Sequence, residues 1–76
     1  MARTYLSMPQ VVERYAGVWS TWQLYEWTRT GRIPHRKFPG RRELIFPLDE
    51  LEEFEDGAPL ETLKLSEGGR VCRPVR

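Results

Sequence analysis

Residues 20–46 read STWQLYEWTRTGRIPHRKFPGRRELIF, and this stretch decides the fold. Ser20 and Gln23 have the spacing of a capping box, in which each side chain binds the other residue's backbone N–H and starts a helix. Gly31 can adopt the left-handed conformation that ends a helix, and Pro34 prevents its continuation. The sequence therefore predicts a helix that opens at Ser20 and ends just before Gly31.

A basic hairpin is predicted directly after this helix. Two short β-prone runs, residues 33–38 and 43–46, flank Pro39-Gly40, which fits the central pair of a type II turn. From Arg29 to Arg42 the chain has six basic residues and no acid, although its net charge is only +1. A solvated charged loop is the plain alternative, but the run directly follows a helix pattern and excludes acids.

Two further helices are predicted around this segment. Ser7 and Gln10 form a second capping box, so a first helix of about two turns should begin there and end near Gly17. Two short helices in close succession are typical of a helix-turn-helix. A third, acidic helix should begin around residues 47–49 and end at residues 57–59. Its expected buried stripe consists of Leu48, Leu51 and Phe54.

The composition argues against several classes of function. The chain has 76 residues with one Cys and one His, so neither an internal disulfide nor a zinc site is expected. No nucleophile is paired with a base in the sequence, and we expect no enzyme, no cofactor and no small-molecule substrate. No apolar run approaches the ~20 residues of a membrane span, which predicts a cytoplasmic protein.

The charge is segregated along the chain. From Asp49 to Glu61 there are seven acids and no base, in contrast to the basic hairpin before them. Such asymmetry predicts two faces with different partners. A basic face on a helix-turn-helix with a hairpin predicts double-stranded DNA as one of those partners, with one helix in the major groove.

We therefore expect an α+β fold, a small winged helix-turn-helix with a two-stranded basic wing and a third acidic helix. Residues 1–57 should form this DNA-binding domain. Residues 58–76 should form a C-terminal tail, partly flexible and available for protein contact, because SEGGRVCRPVR is rich in Gly and poor in core-forming residues.

Three segments carry a family resemblance: YLSMPQVVERY, STWQLYEWTRTGRIP and FPGRRELIFPLDELEEF. Together they resemble the excisionase family within the MerR-like winged helix-turn-helix group, including lambda-type phage excisionases. The likeness covers about residues 5–56. It rests on the helix start, the Gly-x-x-Pro stop, the basic Gly-Arg turn and the acidic third helix.

The resemblance implies a recombination directionality factor without catalytic activity. Such a protein binds repeated sites in a phage attachment region, bends the DNA and binds side by side with other copies of itself. It helps a tyrosine integrase to assemble for excision rather than integration. Its place would be on DNA in the cytoplasm of the bacterial host.

The resemblance also implies a set of DNA contacts. In the major groove, Gln23 would pair with adenine, Glu26 with cytosine, and Arg29 with guanine or phosphate. The full major-groove set is Ser20, Thr21, Trp22, Gln23, Tyr25, Glu26 and Arg29. The wing set is Arg36, Lys37, Arg41 and Arg42, and the expected phosphate contacts are Arg32 and His35. Two plain alternatives are that Trp22 packs against the first helix or the hairpin, and that His35 is an exposed loop residue.

Further interpretations stay open. A winged-helix transcriptional regulator would use the same residues on a palindrome instead of direct repeats. A protein-interaction module would bind through Trp22, Tyr25 and the acidic helix. On DNA, the acidic helix and the tail are candidates to contact the basic side of a neighbouring copy, and the tail is also a candidate to contact the integrase.

Overall fold

Three helices and five strands account for most of residues 3–75, the part of the chain that the computed structural model describes. The helices are α1 (Met8–Arg14), α2 (Thr21–Thr30) and α3 (Leu48–Glu55). The strands are β1 (Tyr5–Ser7), β2 (His35–Lys37), β3 (Leu44–Pro47), β4 (Leu60–Lys64) and β5 (Arg70–Pro74). The expected α+β class is confirmed.

Both predicted capping boxes are present. Ser7 caps α1 and Ser20 caps α2, and in each case the glutamine three residues later accepts a bond from the cap residue's own N–H. Gly31 ends α2 with a φ of 75°, in the left-handed region where a residue with a Cβ is strained. Helix α1 ends earlier than expected, at Arg14, because the Ala16 N–H binds the Glu13 carbonyl three residues back and Gly17 has a φ of 81°, outside the right-handed helical region.

The five strands form one antiparallel sheet in the order β1-β3-β2-β5-β4. Strands β2 and β3 are the two arms of the expected hairpin. Phe38 accepts a bond from the Arg41 N–H at 3.2 Å, and Gly40 has a φ of 77°, as a type II turn requires. The hairpin is therefore not a separate two-stranded unit, because β1 pairs with one arm and β5 with the other.

The expected flexible tail is instead part of this sheet, and residue 76 lies outside the described residues. Strand β5 lies between β2 and β4, with Cys72 opposite His35 on one side and Thr62 on the other. Cys72 and Pro74 are buried. A boundary after residue 57 therefore does not separate two folding units. The prediction was wrong because strand pairing between distant residues outweighs the local polarity of the segment.

One face of the sheet, which we call the helix side, packs against the helices. His35, Phe46 and Cys72 point to this side and have no exposed surface. The opposite face, which we call the open side, presents Arg36 and Val71, because successive side chains in a strand point to opposite faces.

The core lies between the helix side and all three helices. Its members with no exposed surface are Val11, Leu24, Ile33, Phe46 and Leu51. An aromatic cluster extends it, in which the Trp19 ring lies 4.9 Å from that of Trp27 and 5.9 Å from that of Phe54. Large aromatic side chains bury much area per residue, which helps so short a chain to form a core. Within residues 3–75, no helix has the length and apolar character needed to cross a membrane.

Candidate nucleic-acid interface

Helix α2 turns one face inward and leaves the other in solvent. Leu24 and Thr28 lie four residues apart, on one face of the helix, and are buried in the core. On the outer face the Trp22 side chain is 71% exposed and Tyr25 is 55% exposed. Trp22 therefore does not pack against α1 or the hairpin. Large apolar side chains that stay in solvent at helical spacing indicate a contact surface.

The expected major-groove residues all lie on or beside this exposed face, but several already have partners. Ser20 and Gln23 bind each other in the capping box, with 3.1 Å from the Gln23 N–H to Ser20 Oγ and 3.1 Å from the Ser20 N–H to Gln23 Oε1. Reading adenine with both ends of the Gln23 amide would require that oxygen to leave the cap. Base recognition by Gln23 would therefore cost the free energy of its capping bond, which the sequence alone did not indicate.

Glu26 and Arg29 form an ion pair one turn apart on the same face. The Arg29 Nε donates to Glu26 Oε2, and the Arg29 Nη2 donates to Glu26 Oε1. Exposed pairs of this kind stabilise a helix by only ~0.2–0.5 kcal/mol, so a base or a phosphate can displace either partner at small cost.

The loop of residues 38–43, which connects β2 to β3, carries two exposed cations. Arg41 and Arg42 follow the Pro39-Gly40 turn directly. Apart from Gly40 and its two chain neighbours, no atom lies within 4 Å of the position that a Cβ on Gly40 would take, so the space beside the tip of the loop is open. Neither arginine has an ion-pair partner among residues 3–75.

Arg36 was expected to contact DNA with this loop, and the structure contradicts that. Its side chain points to the open side, is 13% exposed, and binds the Glu50 carboxylate at 2.8 and 2.5 Å. It also donates to the Cys72 carbonyl at 3.1 Å. The reason is strand alternation, since Lys37 is the neighbour that points to the helix side.

His35 was expected to contact phosphate, and both that reading and the exposed-loop alternative are wrong. The ring is fully buried, with Nδ1 2.7 Å from the Ile33 carbonyl and Nε2 accepting from Arg70 Nε at 3.0 Å. Burial, followed by the charges of Arg70 and Arg36, holds the pKa of His35 below its ordinary value. A neutral ring that donates from Nδ1 satisfies both contacts.

Pairing separates the cations of the described residues into two groups. Five arginines bind carboxylates: Arg3, Arg14, Arg29, Arg36 and Arg73. The cations without an ion pair within residues 3–75 are Arg32, Lys37, Arg41, Arg42, Lys64 and Arg70. The unneutralised positive charge thus collects on the β2–β3 hairpin, the β4–β5 hairpin and the end of α2. Sequence reasoning had placed Lys64 and Arg70 in a tail, and only the sheet register brings them here.

The acidic helix α3 is largely neutralised within the chain. Arg3 holds the pKa of Asp49 below its usual value, and Arg14, with the Tyr15 hydroxyl, does the same for Glu55. An open groove of about 550 Å³ on the open side is lined by charged groups that already form ion pairs, namely Arg3, Arg36, Asp49, Glu50, Glu61 and Arg73. Within residues 3–75, no three His, Cys, Asp or Glu side chains are grouped to hold a metal ion.

Comparison with known protein families, with curated proteins and with solved structures found no match to this chain.

Proposed function

We propose that this chain binds double-stranded DNA as a winged helix-turn-helix, with α2 in the major groove and the β2–β3 loop on the phosphate backbone or in the adjacent minor groove. The observation that supports it is the separation of charge: within residues 3–75, the cations without carboxylate partners lie on the two hairpins and at the end of α2. Arg36 and Arg73 lie on the same hairpins, but they point to the open side and are paired. The other paired arginines are Arg3, Arg14 and, on α2, Arg29 with Glu26. A polyanion would supply the missing negative charge.

The exposed face of α2 supplies the base contacts in this proposal. Trp22 and Tyr25 pack on thymine methyl groups, which the major groove presents. Arg29 exchanges its bond to Glu26 for guanine or phosphate, and the released Glu26 accepts from cytosine. Ser20, Thr21 and Gln23 lie at the N-terminus of α2, where backbone N–H groups favour phosphate. Arg32 contacts phosphate at the other end of the helix.

We further propose that the DNA-binding role is that of an excisionase, on the strength of the sequence resemblance. One small module buries only ~600–1,000 Å² on DNA, so a single copy binds weakly. Several copies side by side on repeated attachment sites would reach useful affinity and bend the DNA. A tyrosine integrase is the proposed partner at those sites. Because α3 retains few unpaired acids, the contact between copies is less electrostatic than the sequence suggested.

A gel-shift titration tests both levels of the proposal. The DNA fragments are the attachment region of the source genome, a promoter fragment and an unrelated fragment, each at two salt concentrations. The test variant is Arg41→Ala/Arg42→Ala. The control is Arg73→Ala, which removes a cation of the open side that is already bound to Glu61. We expect a ladder of cooperative shifts on attachment DNA alone, weakened by the double variant and unchanged by the control.

Other outcomes assign other functions. A single shift on the promoter fragment favours a transcriptional regulator with the same DNA-facing residues. The absence of any shift at low salt refutes DNA binding. It then favours a protein-interaction module, for which the exposed Val18, Trp22 and Tyr25 supply an apolar surface.

A further inference from the structure

Three cations form a row across the sheet. Lys37 on β2, Arg70 on β5 and Lys64 on β4 are direct cross-strand partners in the register. Directly opposite residues point to the same face of a sheet. Because neighbouring strands lie about 4.8 Å apart, the row spans about 10 Å.

The row lies on the helix side, next to α2. The Arg70 guanidinium identifies the side, since its Nη2 donates to the Thr28 carbonyl of α2 at 2.9 Å and its Nε donates to buried His35. Lys37 and Lys64 share that face through the register. The cations therefore stand beside the helix whose outer face carries Trp22 and Tyr25.

The row is also the last set of paired residues before the β2–β3 loop and the β4–β5 loop, which contact each other. A Cβ on Gly69 would lie 2.5 Å from the Lys37 carbonyl oxygen and 2.8 Å from Pro39 Cδ. The Gly69 carbonyl accepts from the Leu65 N–H at 2.9 Å, which closes the β4–β5 loop. The β4–β5 loop thus packs against the base of the loop that carries Arg41 and Arg42, and the two hairpins present one continuous surface.

Placing like charges opposite one another destabilises a sheet. Within residues 3–75, none of Lys37, Arg70 and Lys64 forms an ion pair. Two acids, Glu43 and Glu67, lie in the adjoining loops, but the cations of the row together with Arg41 and Arg42 outnumber them. Within residues 3–75, no ion pair compensates this repulsion, and an anion bound from outside would relieve it.

We propose that Lys37, Arg70 and Lys64 form a phosphate-binding strip that extends the DNA interface from the β2–β3 loop onto the β4–β5 hairpin. It rests on the proposed DNA-binding function. Phosphates follow each other every ~3.4 Å of helix axis along one strand, so a row of this length meets more than one phosphate of the same strand. The segment expected to be a protein-contacting tail becomes part of the DNA surface. Arg70 also positions the strip, because it ties β5 to α2.

The experiment compares Lys64→Gln with Arg73→Gln. Both variants remove one positive charge from the β4–β5 hairpin, but Arg73 points to the open side and binds Glu61. Fluorescence anisotropy measures binding to a random-sequence DNA duplex, whose affinity comes from phosphate contacts, at about 50 and about 200 mM salt. Lys64→Arg is the charge-preserving control, and thermal melting of each variant reports on folding.

We expect Lys64→Gln to lower the magnitude of the slope of log affinity against log salt by ~0.9. The loss of affinity between the lower and the higher salt concentration should then be about 3.5-fold smaller for this variant than for the wild type. Arg73→Gln and Lys64→Arg should keep the wild-type slope. Lys64→Gln should also melt no lower than the wild type, because it removes a like-charge contact. An unchanged slope for Lys64→Gln, with a reduced slope for Arg41→Ala/Arg42→Ala, overturns the strip and leaves the proposed function standing. No binding by the wild type at the lower salt overturns both.

Discussion

Replacing Glu50 by glutamine should destabilise the fold by about 3 kcal/mol, because it leaves a nearly buried arginine without its counter-charge. The Glu50 side chain is 5% exposed and accepts two bonds from Arg36 and one from Arg3, at 2.5 to 2.8 Å. Glutamine keeps the shape but not the charge. Arg36 keeps its bond to the Cys72 carbonyl, and this places the loss at the lower end of the range for a broken buried pair.

The size of the effect follows from the small total stability of such a domain. A chain of 76 residues has a free energy of unfolding of ~4–11 kcal/mol at ~0.05–0.15 kcal/mol per residue. For a domain of this size, 1 kcal/mol shifts the melting temperature by ~4–8 °C. Glu50→Gln should therefore lower the melting temperature by roughly 12–24 °C. Arg3 is more exposed than Arg36, so solvent screens its share of the interaction.

Glu61→Gln is the matched control. Glu61 also binds an arginine on the open side, but its side chain is 39% exposed and that of Arg73 is 48% exposed. An exposed pair contributes ~0–1 kcal/mol, so this variant should melt within a few degrees of the wild type. Urea and thermal unfolding followed by tryptophan fluorescence give both free energies, with equal urea slopes expected if the same surface unfolds.

A second variant separates charge burial from general disruption. Arg36→Met/Glu50→Leu removes both charges, and it should be less destabilised than Glu50→Gln because no buried charge is left alone. If Glu50→Gln loses no more stability than Glu61→Gln, the reasoning from burial is wrong. If the double variant is less stable than the single one, shape and hydrogen bonding matter more here than charge.

Three further predictions concern single positions. Gly31→Ala should destabilise the fold more than Gly17→Ala. Both glycines have positive φ, but only a Cβ on Gly31 would meet another residue, at 2.5 Å from Thr62 Oγ1. Adding Thr62→Ala to Gly31→Ala should therefore remove the difference between the two variants in the free energy of urea unfolding. Folding stability should fall as the pH drops below ~6.5, because the unfolded state then protonates His35 while burial keeps its folded pKa lower; a flat melting temperature between about pH 7.5 and 5.5 would contradict this. Burial also raises the pKa of the Cys72 thiol, so a thiol reagent should label the native protein far more slowly than the urea-unfolded chain, and equal rates would show that Cys72 is accessible.

The starts of α1 and α2, the end of α2 and the turn were predictable because they depend on neighbours in the chain. The capping boxes at Ser7 and Ser20, the left-handed Gly31 and the Pro39-Gly40 turn each involve residues within four positions of one another. The inward face of α2 depends on the helical period, which puts Leu24 and Thr28, four residues apart, on the same side. The choice of exposed α2 residues as candidate contacts depends on the same rule.

The sides of the sheet were less predictable. Successive residues of a strand point to opposite faces, so a shift of one residue in register exchanges the buried and the exposed side chains. In a strand of only three residues, the sequence alone does not determine that register. His35 and Arg36 were both assigned to the basic surface, yet one became buried and the other bound Glu50. The surroundings of both side chains depend on β5, which pairs with β2 although the two strands lie more than thirty residues apart in the chain.

By itself, the sequence determined three helices, a basic hairpin and the separation of acidic from basic segments, because local hydrogen bonds and periodicity carry that information. Only the tertiary structure decided which charges are neutralised. Arg3 and Arg36 reach Glu50 from distant positions in the chain, whereas Arg70 lies between Lys37 and Lys64 in the register. None of these three cations forms an ion pair within residues 3–75. Charge pairing depends on distance in space, and the strand register that sets this distance forms only when the whole sheet folds.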